Sequence, residues 1–156
     1  MCFSVICNDE RQFVPLEGTT FSSLSVVKSK HTVKIDPDPV NKDIYFVTAE
    51  PRLGIGQRAI LFVASDGIWM WDCIAVINDQ AVEDLKAIEA NTGKKLQGIV
   101  ISHPHFYTTS LSWAQALDTY VYISHQDLQW YQVGGLIFFE YFYLVIGNMS
   151  SDVKTA

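Results

Sequence analysis

The sequence predicts an α/β layered domain, a mixed sheet with helices on one face. Three observations predict it. Two runs rich in β-branched and aromatic residues, Ile60-Leu61-Phe62-Val63-Ala64 and Ile68-Trp69-Met70-Trp71, flank Ser65-Asp66-Gly67, a hairpin signal. A segment with Val82, Leu85 and Ile88 on one face and Glu83, Asp84, Lys86 and Glu89 on the other then reads as an amphipathic helix. The apolar run Gly98-Ile99-Val100-Ile101-Ser102 follows it, and helix and strand alternate once more. A strand–helix–strand unit makes its two strands parallel, with a right-handed crossover.

Length and composition set the bounds. A chain of 156 residues with 49% hydrophobic and 18% charged residues suits one ordinary domain with a real core. The net charge of −6 argues against a nucleic-acid backbone or an anionic membrane surface as the main partner. A small-molecule substrate is compatible with that charge. Cys2, Cys7 and Cys73 are odd in number and lack C-x-x-C spacing, and the N-terminus has no basic start. The expectation is a reduced, cytoplasmic protein.

Taken in order, residues 1–43 are mixed and weakly patterned. Val26-Val27 and Val33-Lys34-Ile35 read as short strands, and Asp36-Pro37-Asp38-Pro39 as a turn or stiff linker. His31, between Lys30 and Lys34, reads as solvated. Ile44-Tyr45-Phe46-Val47-Thr48 is a strand by composition, and Gly54-x-Gly56 a turn between strands rather than a phosphate loop. Asn78 or Asp79 can cap the first helix, and Asn91-Thr92-Gly93 ends it. Thr109 or Ser110 can cap a second helix carrying Leu111, Trp113, Ala114 and Leu117. Tyr120-Val121-Tyr122-Ile123 reads as a strand, after which Ser124 caps a short helix to about Tyr131. The tail, residues 133–156, contains a run of apolar and aromatic residues to Gly147. It is too short for a membrane span of roughly 20 residues and holds Glu140. It reads either as one or two core strands or as sequence foreign to the fold.

The chemistry concentrates at His103-Pro104-His105. Pro104 ends the strand, and the residue before a proline is held extended. Extended backbone puts the side chains of His103 and His105 on the same side, where they could share a metal ion. Two solvated loop histidines are the commoner reading of an isolated H-x-H. The four tryptophans read as core or half-core residues, and Cys73 as packing rather than a nucleophile.

Three stretches resemble the metallo-β-lactamase superfamily, and more narrowly a group of small hydrolases within it. They are Gly54-Ile55-Gly56-Gln57-Arg58-Ala59, Trp71-Asp72-Cys73-Ile74-Ala75, and Ile101-Ser102-His103-Pro104-His105-Phe106-Tyr107-Thr108-Thr109. The resemblance covers residues 44–132, with the tail outside it. It implies half of an αββα sandwich and a metal-dependent hydrolase of the ester, thioester or lactam class, with zinc as cofactor. His103 and His105 match the first two positions of the family's His-x-His-x-Asp-His motif, which hold the first metal. Tyr107 and Thr108 stand at the positions of the Asp and second-metal His. Asp72 matches an acidic residue that braces the metal loop, and Ser110 stands where the nearest group keeps a His. Tyr107 and Ser110 are possible pocket residues.

The resemblance also implies further ligands from the fold's second half, which the residues after His105 are too few to supply. The expectation is therefore a truncated N-terminal half with an incomplete metal site. A third ligand could be His125, Asp72 or a carboxylate from elsewhere. The alternative is a non-catalytic remnant or interaction module without metal, self-associating through an exposed apolar face.

Overall fold

The computed structural model describes Leu16 and residues 20–107, 109–131, 135–138 and 142–146. Its elements run α1 (Leu24–Lys30), β1 (Thr32–Pro37), β2 (Ile44–Glu50), β3 (Ala59–Val63), β4 (Ile68–Trp71), α2 (Asp79–Thr92), β5 (Leu96–Ile101), α3 (Ser110–Leu117), β6 (Val121–Ser124), β7 (Gly135–Phe138) and β8 (Phe142–Ile146). Short 3-10 turns at Pro104–Phe106 and His125–Trp130 follow β5 and β6.

The eight described strands form one sheet in the order β1-β2-β3-β4-β5-β6-β8-β7. The β3–β4 hairpin is antiparallel, whereas β4–β5 and β5–β6 are parallel. The helices in those two parallel connections are α2 and α3, as βαβ units require. In the tail, the backbone of β8 pairs antiparallel with β6, and β7 pairs with β8. Within this segment the backbone forms strands at 135–138 and 142–146. The remainder of the tail lies outside the described residues.

Local chemistry explains the boundaries of α2. Asn78 accepts the Ala81 N–H at 2.9 Å, which satisfies one of the donors left open at a helix start. Gly93 ends the helix at φ 67°, a left-handed conformation that costs glycine little.

Three sequence expectations change in the N-terminal third. Val26 and Val27 are helical, in α1, which Ser23 caps by accepting the Val26 N–H. The Asp-Pro-Asp-Pro stretch is not all turn. β1 runs through Pro37, and the turn follows, where Asp38 accepts the N–H groups of Val40 and Asn41. His31 is not simply solvated: its Nδ1 lies 2.7 Å from the Pro51 carbonyl.

The strands alternate, and the two faces of the sheet differ. Val33, Val47, Ala59, Leu61, Ile68, Met70, Ile99, Ile101, Val121 and Ile123 are buried. They form one cluster with Ala81, Leu85 and Ile88 of α2 and Trp113 and Ala114 of α3. The helices thus cover one face. Trp113 is fully buried, so its loss would cost about 3–5 kcal/mol.

The opposite face carries Phe46, Ile60, Phe62, Trp69, Val100 and Tyr122, all half-buried, and Trp71, which is 44% exposed. Trp71 is therefore a surface aromatic rather than the core or half-core residue expected. Direct cross-strand pairs link Phe46 to Ile60, Ile60 to Trp71, Trp71 to Val100 and Val100 to Tyr122, making a continuous apolar row.

Gly98 sits in that face, where Trp69 and Tyr122 approach at a centroid distance of 5.9 Å. A Cβ there would lie 2.4 Å from the Tyr122 ring and 3.2 Å from the Trp69 ring. We predict that Gly98→Ala lowers stability by about 1–3 kcal/mol, the range for overpacking. Urea unfolding followed by tryptophan fluorescence measures it, and an unchanged midpoint would contradict the packing described.

Candidate functional site

The carboxyl ends of β4, β5 and β6 lie side by side, and in open α/β sheets this is the end at which ligands bind. Asp72 follows β4, His103 follows β5, and His125 follows β6.

Asp72 stands at φ 63°, a left-handed position that Asp and Asn tolerate better than most residues. The turn aims its buried carboxylate at β5. It accepts the Ser102 N–H at 2.7 Å and the Ser102 hydroxyl at 2.8 and 2.9 Å. Burial pushes its pKa above the ordinary value. The Ser102 N–H, the Ser102 hydroxyl and the nearby His103 pull the other way without overcoming burial. Asp72 therefore fixes the residue before His103.

Further ties join the segment after β4 to the segment after β5. The Ile74 carbonyl accepts from the Thr109 hydroxyl at 2.6 Å and from the Trp113 indole at 3.0 Å. Thr109 precedes α3 but makes no side-chain cap; its hydroxyl is spent on this cross-link. The Cys73 thiol donates to the Phe106 carbonyl at 3.0 Å. Gln57, from the loop before β3, donates to the His105 carbonyl at 2.8 Å and accepts the Ala75 N–H at 2.9 Å. Sequence alone assigns Gln57 no role. The signal available was an amide side chain beside Gly56, in a turn that its neighbours left free to approach other backbone.

The histidines meet, though by a different route from the extended segment expected. His103 is extended, but Pro104–Phe106 is a 3-10 turn, because Pro suits the first position of a helical turn. The turn stacks the two imidazoles with centroids 4.5 Å apart and planes at 26°. His103 Nδ1 lies 3.2 Å from the His105 N–H and accepts it. In the neutral ring this contact puts the proton on Nε2, which is then a hydrogen-bond donor; metal binding through Nε2 requires the contact to break. His103 is exposed and His105 half-buried.

A zinc ion holds imidazole nitrogens at about 2.0–2.1 Å, and a catalytic site takes about three protein ligands. The two rings supply nitrogen donors of the right type, but stacked at 26° they do not aim two lone pairs at one point, and sharing an ion requires one ring to turn. Asp72 is engaged with Ser102, and no group of three His, Cys, Asp or Glu side chains able to hold a metal occurs among the described residues. His125 does not complete one. The described residues therefore do not make a full catalytic zinc site.

The other singled-out residues are inside. Tyr107 and Ser110 are both buried, and Ser110 donates to the Tyr107 carbonyl at 2.8 Å. Thr108 lies outside the described residues. Cys73 is buried, with its thiol pKa pushed up to about 12, chiefly by desolvation. It is a thiol at neutral pH rather than a nucleophilic thiolate.

Comparison with known proteins gives partial likenesses. No family model matches the chain. A curated relative, the uncharacterized protein YmaE of Bacillus subtilis (strain 168), is 29% identical over 126 residues, 81% of this chain. The chain spans 44% of that relative's length. Among solved structures, DIM-1 metallo-beta-lactamase exposed to ceftazidime is similar over 60% of this chain and 43% of its own, with 20% identity and a TM-score of 0.44. A second structure of DIM-1 metallo-beta-lactamase is similar over 57% of this chain and 41% of its own, with 21% identity and a TM-score of 0.41. No described helix is long and apolar enough to cross a membrane.

Two predictions follow from the bracing. Asp72→Ala leaves the Ser102 N–H without its acceptor and puts alanine at positive φ, so it should cost about 2–4 kcal/mol in a urea melt. Asp72→Asn keeps an acceptor and tolerates the backbone. Because folding raises the Asp72 pKa, its contribution is complete below the ordinary value of 3.8 and is lost as pH rises through the raised value. Asp72→Asn should therefore gain stability relative to wild type as pH rises through that range; a constant difference would contradict the burial argument. The second concerns Cys73: in native protein it should resist iodoacetamide at pH 8 and react fully in denaturant, as read by peptide mass mapping. Rapid native labelling would show an accessible thiolate.

Proposed function

We propose that this chain carries half of the metal site of a metallo-β-lactamase-like hydrolase, acting on an ester, thioester or lactam, with zinc as the metal. The observation that carries the reading is that His103 and His105 come together on one turn held by Asp72, Gln57 and Cys73. A solvated histidine pair needs no such clamps, whereas metal ligands work best when their backbone is fixed by surrounding hydrogen bonds. The sequence resemblance at the same residues supports the assignment. Completion of the site then falls to ligands outside the described residues. The activity and substrate belong to this proposal.

The test is elemental analysis of untagged protein beside the His103→Ala/His105→Ala double variant. About one zinc per chain in the wild type and none in a folded double variant is expected for a single site. No metal in either, or equal metal in both, would remove this reading.

A second reading has its own support. The apolar row from Phe46 to Tyr122, with Trp71 at the surface, is a surface suited to association with an apolar partner, including a second copy of the chain. On this reading the chain is an interaction module without metal. Sedimentation that depends on concentration, and is abolished by Trp71→Lys, supports it. A monomer at all concentrations with a cooperative melt counts against it.

A further inference from the structure

The clamps on the histidine turn hold different residues. Asp72 holds Ser102, and Cys73 donates to the Phe106 carbonyl. Gln57 holds a histidine itself, donating to the His105 carbonyl at 2.8 Å. The carbonyls of His103 and Pro104 are taken within the turn, by the N–H groups of Phe106 and Tyr107. The His105 N–H meets His103 Nδ1 at 3.2 Å. His105 is thus tied to Gln57 through its carbonyl and to His103 through its N–H.

Gln57 suits this place by its chemistry and by its support. It meets an N–H on one side and a carbonyl on the other. Its Oε1 accepts the Ala75 N–H at 2.9 Å while its Nε2 donates to His105. A carboxylate offers no proton and a thioether no N–H, whereas a primary amide carries both functions in one plane. The loop that bears it, residues 51–58 between β2 and β3, is itself pinned. Leu53 packs against the core, and the Gly56 N–H donates to the Leu53 carbonyl at 2.9 Å. The Arg52 guanidinium donates to the Ile55 carbonyl at 2.6 Å, and His31 Nδ1 meets the Pro51 carbonyl at 2.7 Å. Gln57 therefore reaches His105 from backbone that is held on its other side.

We propose that Gln57 is a positioning residue for the histidine pair: by fixing the His105 backbone against the segment after β4, it sets where the His105 ring stands relative to His103. Loop 51–58 thus governs the pair from outside the two βαβ units that carry it. This deepens the proposed hydrolase reading and rests on it for the role of the pair as ligands.

The test compares wild type with Gln57→Met, which keeps length and bulk but cannot donate, in the full metal-free chain. Histidine imidazole signals are read by NMR and stability by thermal melting. The proposal predicts that the His103 and His105 signals move together while those of His31 and His125 stay in place. Tm should fall by about 2–6 °C for the two hydrogen bonds lost. Gln57→Ala should move the same two signals, which excludes an effect peculiar to methionine. Gly93→Ala is the control. Its φ is 67°, and nothing lies within 4 Å of an added Cβ, so it lowers Tm by backbone strain alone and should leave every histidine signal in place. A Gln57→Met chain that melts lower with His103 and His105 unmoved would make Gln57 a structural residue and overturn the proposal. The same movement in Gly93→Ala would overturn it too. Zinc affinity, measured by competition with a chelator, should fall about 10–100-fold in Gln57→Met, the range for residues that orient metal ligands. Equal affinity in the two chains would overturn the proposal. A wild type that takes up no zinc would remove the hydrolase reading, and the metal-free comparison would still decide the role of Gln57.

Discussion

The buried Asp72 carboxylate joins the end of β4 to the end of β5, and the arrangement at the carboxyl end of the sheet depends on that link. Parallel pairing leaves the segments after β4 and β5 pointing the same way with no ladder to hold them. Asp72 supplies the missing tie by accepting both Ser102 donors. One residue further on, His103 enters its turn with its backbone already fixed. The cost is a carboxylate taken out of water and a residue at positive φ. Such costs persist where the surrounding structure over-determines a conformation, and they cluster at functional sites.

Around this link, four side chains from three segments close the rest of the gap. Gln57 reaches from the loop before β3 to both neighbouring backbones, Cys73 and Thr109 donate to carbonyls across the gap, and Trp113 adds its indole N–H. The Ile74 carbonyl takes two of these donors, which leaves little freedom for the segment between β4 and α2. The histidine turn is thereby more rigidly supported than a surface loop of its length needs to be.

Much of this fold was legible in the sequence because its signals are local. The Ser-Asp-Gly hairpin, the Asn78 and Gly93 ends of α2, and the strand stopped by Pro104 each depend on a few neighbouring residues. That His103 and His105 come together was legible through their spacing. What was not legible depends on distant partners or on local signals that compete with one another. Val26 and Val27 favour strands by type, yet a Ser23 cap makes them helical. Thr109 precedes a helix as a cap residue should, yet its hydroxyl goes to Ile74, thirty-five residues away in sequence. The stacking of the imidazoles follows from a 3-10 turn that an extended reading of His-Pro-His does not contain. The exposure of Trp71 follows from the division of the sheet into a face covered by helices and one on which no described helix packs.

The central claim is that the turn after β5 presents His103 and His105 together as a two-ligand metal site. Zinc titration followed by NMR of the histidine imidazole signals tests it most directly. The account predicts that the His103 and His105 resonances change together and saturate at about one zinc per chain, while those of His31 and His125 stay in place. Independent responses of the two histidines, or no response at either, would contradict it.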